Sequence, residues 1–508
     1  MLHFVSTLLK ILYNIYMKKS EEYFKIFDTK LKKYATNQVA NMFATFDRRY
    51  FKLDKTTPIE RVFSDGIYSQ KIIIQPWFFA DIIFYSTKYN DFKSNISEQQ
   101  AWELYGLYHN YALSLENEYA EENFNNPDDN ILSPIVYGHL QEQGIYEVSQ
   151  LFFINRFNTN YHMLKDVQIN SKGLEDIVSN AFGIKLKTYI EFLCIIAIVS
   201  VSYKNLTCED ILQTIDNTDI YYKILNTMTV NYDDCRKQFN TMINKDIFKI
   251  KPLLNTQLNE YIVPSSYLMF YNFSDKLYWL LKDEYKNTSI FVTKFGEVFE
   301  DYVYEILVKQ FGCQDVERIP KEKNKKSADF KIETDEFIML IEVKAGVARA
   351  NSKKSNLDKN DFDFFITNNI TDAMKQLDAS AGKLDNGKQI ISVILNYDQI
   401  LVEDSLLFDI ESLYKPKHYK IQNLLLTGID YFENFIYTFN TTQKLNEFFK
   451  ENKNNLKTYV LVEKSKIHKN FFYEDIFNLS IEQFVDKLKN LQSQNQTVTN
   501  QNKSKSVK

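Results

Sequence analysis

Apolar residues recur three and four positions apart over most of the first half of the chain, as at Trp102, Tyr105, Tyr108 and Leu113 and from Ile211 to Ile224. This spacing predicts a mostly α-helical region. Phe192–Val201 (FLCIIAIVSV) is apolar throughout but about half as long as a membrane span, which predicts a buried core helix. Met1–Met17 is also apolar. It has no basic segment ahead and no small-residue cleavage site behind, and His3, Lys10 and Asn14 interrupt it, so it reads as an amphipathic packing helix rather than a signal peptide or anchor. Gln75, Pro76, Trp77, Phe78 and Phe79 resemble an aromatic stacking platform, but in a chain with 34 Tyr and 40 Phe such a run is expected in the core. Lys251–Tyr285 carries two prolines, a short extended piece at Tyr261, Ile262 and Val263, and a helical run at Leu277, Leu280, Leu281 and Tyr285. It reads as a connection between domains.

After Thr288 the pattern changes to helix, strand, strand, strand, helix, strand, the alternation of an α/β domain. Phe295–Phe311 has apolar residues at 295, 299, 303, 306, 307 and 311 and is closed by Gly312. Strands are expected at Asp315–Ile319, Ala328–Ile332 and Phe337–Val343, the last almost wholly apolar and therefore central. A polar loop from Ala350 to Asn360 leads to a helix at Thr371–Lys383 and a buried strand at Gln389–Leu395, and apolar runs at Leu424–Leu426 and Tyr459–Val462 continue the alternation. From about Gln492 the sequence is too polar to fold. The expected organisation is thus a helical N-terminal domain at 1–287, an α/β domain at 288–490 and a disordered tail at 491–508, an α+β multidomain chain overall.

At 508 residues, 44% hydrophobic and 25% charged, the chain is long enough for several packed domains. A net charge of −5 argues against a protein coated in positive charge. Only seven of 61 basic residues are Arg, a bias that lowers the weight of any single Lys or Asn. Cys194, Cys208, Cys235 and Cys313 form no CxxC, which supports neither a zinc site nor a disulfide framework and points to a reducing, cytoplasmic location.

The chemistry concentrates on two neighbouring strands. Alternation puts Glu342 and Lys344 on one face at the end of an apolar run, where an unpaired charge costs several kcal/mol. A hairpin turn near Thr334 and Asp335 sets Asp329 opposite about Leu340, a diagonal neighbour of Glu342. Two converging carboxylates without His or Cys make a hard oxygen site suited to Mg²⁺ or Mn²⁺, and a Lys beside it suits phosphodiester hydrolysis. Glu300, one position round from the buried stripe at Phe299, offers a third carboxylate.

These residues resemble the PD-(D/E)xK, or restriction-endonuclease-like, nuclease superfamily over Ser289–Leu395. The matching segments are FGEVFEDYV from Phe295 to Val303, SADF from Ser327 to Phe330 and IEVKAG from Ile341 to Gly346. The resemblance implies metal ligands at Asp329 and Glu342, a catalytic lysine at Lys344, the helix glutamate at Glu300 and a polar helix residue at Gln376. The family often has Pro before the first Asp, where this chain has Ala328.

Between Glu317 and Lys359 lie eleven basic and eight acidic residues, a local net of +3 in an acidic chain. Two loops, Lys321–Lys326 and Lys353–Lys359, flank the strands that carry the carboxylates, and Lys325, Lys326, Lys353 and Lys354 in them are candidate phosphate contacts. The expectation is a cytoplasmic Mg²⁺- or Mn²⁺-dependent nuclease acting on DNA rather than RNA, with no membrane partner. The helical region would serve sensing, homo-oligomer formation or a partner protein. The resemblance suggests restriction or anti-phage defence as context, by fold-level analogy. The alternative is a non-catalytic nucleic-acid-binding or complex-forming subunit with a degenerate nuclease fold.

Overall fold

The computed structural model describes residues 20–51, 60–64, 69–89, 93–124, 150–202, 218–239, 246–256, 261–321, 326–346, 366–384, 387–398 and 413–452, with a few single residues besides. The expected N-terminal packing helix, the strand at 459–462 and the polar tail lie outside them.

The chain is α+β. Its first part runs α1 (Ser20–Leu31), α2 (Thr36–Phe51), β1 (Glu60–Ser64), β2 (Ser69–Ile73), α3 (Trp77–Ser86), α4 (Glu98–Phe124), α5 (Gln150–Leu164), α6 (Leu174–Phe182), α7 (Leu186–Ser202) and α8 (Thr218–Thr227). It continues with β3 (Thr229–Asn231), α9 (Tyr232–Arg236), α10 (Asp246–Ile250), β4 (Leu253–Asn255), β5 (Tyr261–Ile262), α11 (Ser266–Ser274) and α12 (Lys276–Glu284). Helices dominate as the spacing predicts, joined by an antiparallel β1–β2 hairpin and a small mixed β3–β4–β5 sheet. Phe78 and Phe79 are buried on α3, in the core rather than on a stacking platform, and Phe192, Leu193 and Ile196 make α7 a core helix. The stretch read as an interdomain connection is itself packed: Leu253, Leu254, Ile262, Val263, Leu277 and Leu281 are all buried. Among the described residues, no helix is long and apolar enough to cross a membrane.

The second part follows the expected order: α13 (Ile290–Phe311), β6 (Val316–Arg318), β7 (Phe330–Glu333), β8 (Phe337–Lys344), α14 (Asp372–Ala381) and β9 (Gln389–Asn396). Then come β10 (Leu424–Gly428), α15 (Ile429–Thr438) and α16 (Thr442–Asn452). Gly312 ends α13 at φ 90°, a backbone conformation that a side chain would strain. The five strands lie in the order β10-β9-β8-β7-β6, antiparallel from β6 to β8 and parallel from β8 to β10.

β8 is therefore central and covered on both sides, which is why its sequence is nearly all apolar. Phe337, Met339 and Ile341 join a core that includes Phe295 and Phe299 of α13 and continues into the N-terminal helices. Ile338 and Leu340 face Met374 and Leu377 of α14. The boundary near 287 falls in the turn between α12 and α13, across which Tyr278 packs its ring on Phe295 at 4.9 Å and on Tyr397 at 5.4 Å.

Candidate active site

Hairpin geometry assembles the site. The turn centres on Asp335 and Glu336: the Thr334 N–H donates to the Phe337 carbonyl at 2.9 Å, and Asn446 of α16 accepts from the Thr334 hydroxyl at 2.8 Å and the Glu336 N–H at 3.0 Å. Phe330 consequently pairs with Ile341 and Lys331 with Leu340. The register is two residues from the expected one, so Asp329 falls beside Glu342 rather than opposite Leu340. A shift of two preserves which side chains share a face, and the carboxylates meet more directly than expected.

Asp329 is buried just before β7. Its N–H donates to the Ile341 carbonyl at 2.9 Å, and its Oδ2 accepts from the Val343 N–H at 2.8 Å. The preceding residue is anchored by the Ala328 N–H donating to Ser380 Oγ of α14 at 2.7 Å. Glu342 is only 2% exposed. Its Oε1 lies 2.8 Å from the Lys344 ammonium, whereas its Oε2 is buried with no hydrogen-bond partner. Burial, reinforced by the Asp329 charge, pushes the Glu342 carboxyl up to about 8 despite the neighbouring Lys344 and Lys321.

Lys344 also donates to Gln376 Oε1 at 2.9 Å, and Gln376 Nε2 donates to the Ser327 carbonyl at 3.3 Å. Lysine and amide thus form one chain from β8 to α14 and back to the segment that carries Asp329. Gly346, just beyond β8, admits a short π-helical turn (Ile366–Thr371) ahead of α14: a Cβ there would collide with the Asn369 side-chain oxygen.

The expected third carboxylate is placed differently. Glu300 reaches Asp329 only through Lys321, whose ammonium pairs with Glu300 Oε2 and lies 3.1 Å from Asp329 Oδ1, while Arg318 approaches Glu300 at 3.6 Å. Among the described residues no three Asp, Glu, His or Cys side chains gather closely enough to enclose an ion. The oxygen-only pair Asp329–Glu342, with one Glu342 oxygen buried and unpartnered, is the donor set that would hold a hard divalent cation bringing its own further ligands.

Lys326 lies near the N-terminus of α14, paired with Asp372 at 3.2 Å. Lys325, Lys353 and Lys354 are outside the described residues. Lys321 opens a loop read as a phosphate contact, but nothing in its spacing marks it as a partner of Asp329. Sequence reasoning missed one buried neighbour of the site altogether. Asn396 ends β9 directly beside Lys344, fully buried with both amide atoms unpartnered, and only an amide closing an apolar strand could have flagged it.

No family model, curated protein or solved structure matches the chain.

Proposed function

We propose that the chain is a divalent-metal-dependent nuclease that hydrolyses phosphodiester bonds in DNA. The observation that carries this reading is the β7–β8 register, which sets the Asp329 carboxylate beside Glu342 with the Lys344 ammonium 2.8 Å from Glu342. The order helix, strand, strand, strand, helix, strand around that pair supports it, being the order the PD-(D/E)xK resemblance implies.

Asp329 and Glu342 would hold the cation, which when bound would lower the pKa of water and offset charge developing on the phosphate. The protein's own groups divide the remaining work. Lys344, its position fixed by Glu342 and Gln376, orients the attacking water and stabilises the negative charge that builds on the phosphorus-bound oxygens. Asp329 is itself oriented by the Val343 N–H, so its carboxylate need not reorganise before reaction. Lys326, exposed beside the site, is placed to meet a flanking phosphate. The context we infer is defence against foreign DNA, with the helical region as sensor or partner-binding part.

A second reading, a non-catalytic binding subunit, draws on Lys321, whose ammonium pairs with both Glu300 and Asp329. Incubating the full chain with single- and double-stranded DNA and RNA in Mg²⁺ or Mn²⁺, with an EDTA control, separates the two. Metal-dependent cleavage, strongest on DNA, is expected; binding without cleavage of any substrate would favour the second reading.

A further inference from the structure

We propose that Lys321 is a built-in competitor for the divalent cation: its ammonium spans Glu300 and Asp329 and must leave Asp329 for a cation to bind there. This inference rests on the nuclease reading of the site and adds a control on metal entry.

The geometry motivates it in three ways. Lys321 Nζ lies 3.1 Å from Asp329 Oδ1 and also pairs with Glu300 Oε2, so one ammonium ties the helix carboxylate to the metal-ligand carboxylate. The carboxylate pair it guards is incomplete without a cation, since Glu342 Oε2 is buried and unpartnered and Lys321 does not reach it within ion-pair distance. Finally, the Lys321 side chain is 60% exposed while that of Asp329 is 5% exposed, so the lysine is free to swing into solvent and the carboxylate is not. Long, flexible and strongly hydrated, a lysine head group exchanges between two such positions at little cost.

Displacement has a consequence for substrate. An ammonium released from Asp329 stays tethered next to Glu300 at the rim of the site, where a phosphate bound to the cation would be its next partner. Metal entry and phosphate capture would then be coupled through one side chain, and Glu300 would act as its holding point. This gives the helix glutamate a role that does not require it to be a ligand.

The test is Mn²⁺ binding to the full chain, measured by titration calorimetry and by loss of the free-Mn²⁺ electron paramagnetic resonance signal, with no nucleic acid present. Wild type is compared with Lys321→Met and with Lys388→Met. Lys388→Met makes the same change in net charge at the opposite end of the sheet, where Lys388 pairs with Glu333. Lys321→Met should bind Mn²⁺ about tenfold more tightly, the scale of removing a competing partly solvated charge contact, and Lys388→Met should bind within about twofold of wild type. An unchanged or weakened affinity in Lys321→Met, or an equal gain in both variants, overturns the competitor role. Absence of Mn²⁺ binding by all three proteins would instead overturn the metal-site reading on which it stands, and the competitor role with it.

Discussion

The Arg156 guanidinium lies over the Tyr397 ring, 3.8 Å from its centre, and donates to the Tyr397 carbonyl at 2.6 Å. Arg156 belongs to α5, and Tyr397 immediately follows β9, where its N–H donates to the Lys344 carbonyl at 2.9 Å. The same guanidinium pairs with Asp275 at 3.0 Å and Asp430 at 3.2 Å, all buried. An N-terminal helix is therefore joined to the backbone at the end of the central strand that carries Glu342 and Lys344. Arg156→Met leaves two carboxylates buried without their cation and should cost about 3–5 kcal/mol in denaturant unfolding of the full chain. A loss below about 1 kcal/mol would show that the cluster is not structural.

Glu433 on α15 accepts from the Tyr302 hydroxyl at 2.6 Å and the Thr159 hydroxyl at 3.0 Å. Burial, with Asp430 nearby, pushes its carboxyl from the ordinary 4.5 up to about 8. A carboxyl whose pKa is raised by folding holds its proton more tightly in the native chain. Its stabilising contribution is therefore present in acid and lost as pH rises from about 4.5 to about 8. Glu433→Gln stays neutral throughout, so its stability should fall less over that window and exceed wild type near pH 8.5 by on the order of a few kcal/mol. Parallel pH–stability curves for the two proteins would refute the assignment.

Asn446 braces the turn whose register brings Asp329 beside Glu342. Asn446→Ala removes the acceptor of two hydrogen bonds at a buried turn, so unfolding free energy should drop by about 1–3 kcal/mol. Asn446→Asp, which keeps an acceptor oxygen, should recover most of that loss in the same denaturation experiment. Equal losses in both would place the effect in packing rather than in the turn.

Long, strongly periodic elements were legible in the sequence: the α13 stripe, the apolar β8 run and the order of elements around them. The register was not, because besides its local Thr334–Phe337 bonds the turn is braced by Asn446, more than a hundred residues further along the chain, a contact no local pattern carries. The strands of the β3–β4–β5 sheet are two or three residues long, too short to show a period. At the site, Glu342 and Lys344 share a face as strand alternation implied, with Asp329 on the neighbouring strand, while Gln376, which only the family resemblance suggested, meets Lys344 from α14. Lys321 separates Glu300 from direct contact with them, because ion pairing by a flexible exposed side chain leaves no trace in hydrophobic spacing.

The roles assigned to the carboxylates and the lysine differ in a measurable way. Asp329→Ala and Glu342→Ala should each lose Mn²⁺ binding, since one remaining carboxylate supplies too few hard ligands for a strongly hydrated ion. Lys344→Ala removes a positive charge and no ligand, so its Mn²⁺ affinity should stay level or rise. Loss of Mn²⁺ binding in folded Lys344→Ala would contradict this division.

The decisive measurement for the nuclease proposal is cleavage of supercoiled plasmid by wild type and Lys344→Ala, both shown to be folded and both assayed with Mg²⁺ and with EDTA. Mg²⁺-dependent nicking by wild type, abolished by EDTA, is expected, with a fall of two or more orders of magnitude in Lys344→Ala, about 3 kcal/mol of lost transition-state stabilisation. Equal rates for the two proteins, or nicking that persists in EDTA, would contradict it.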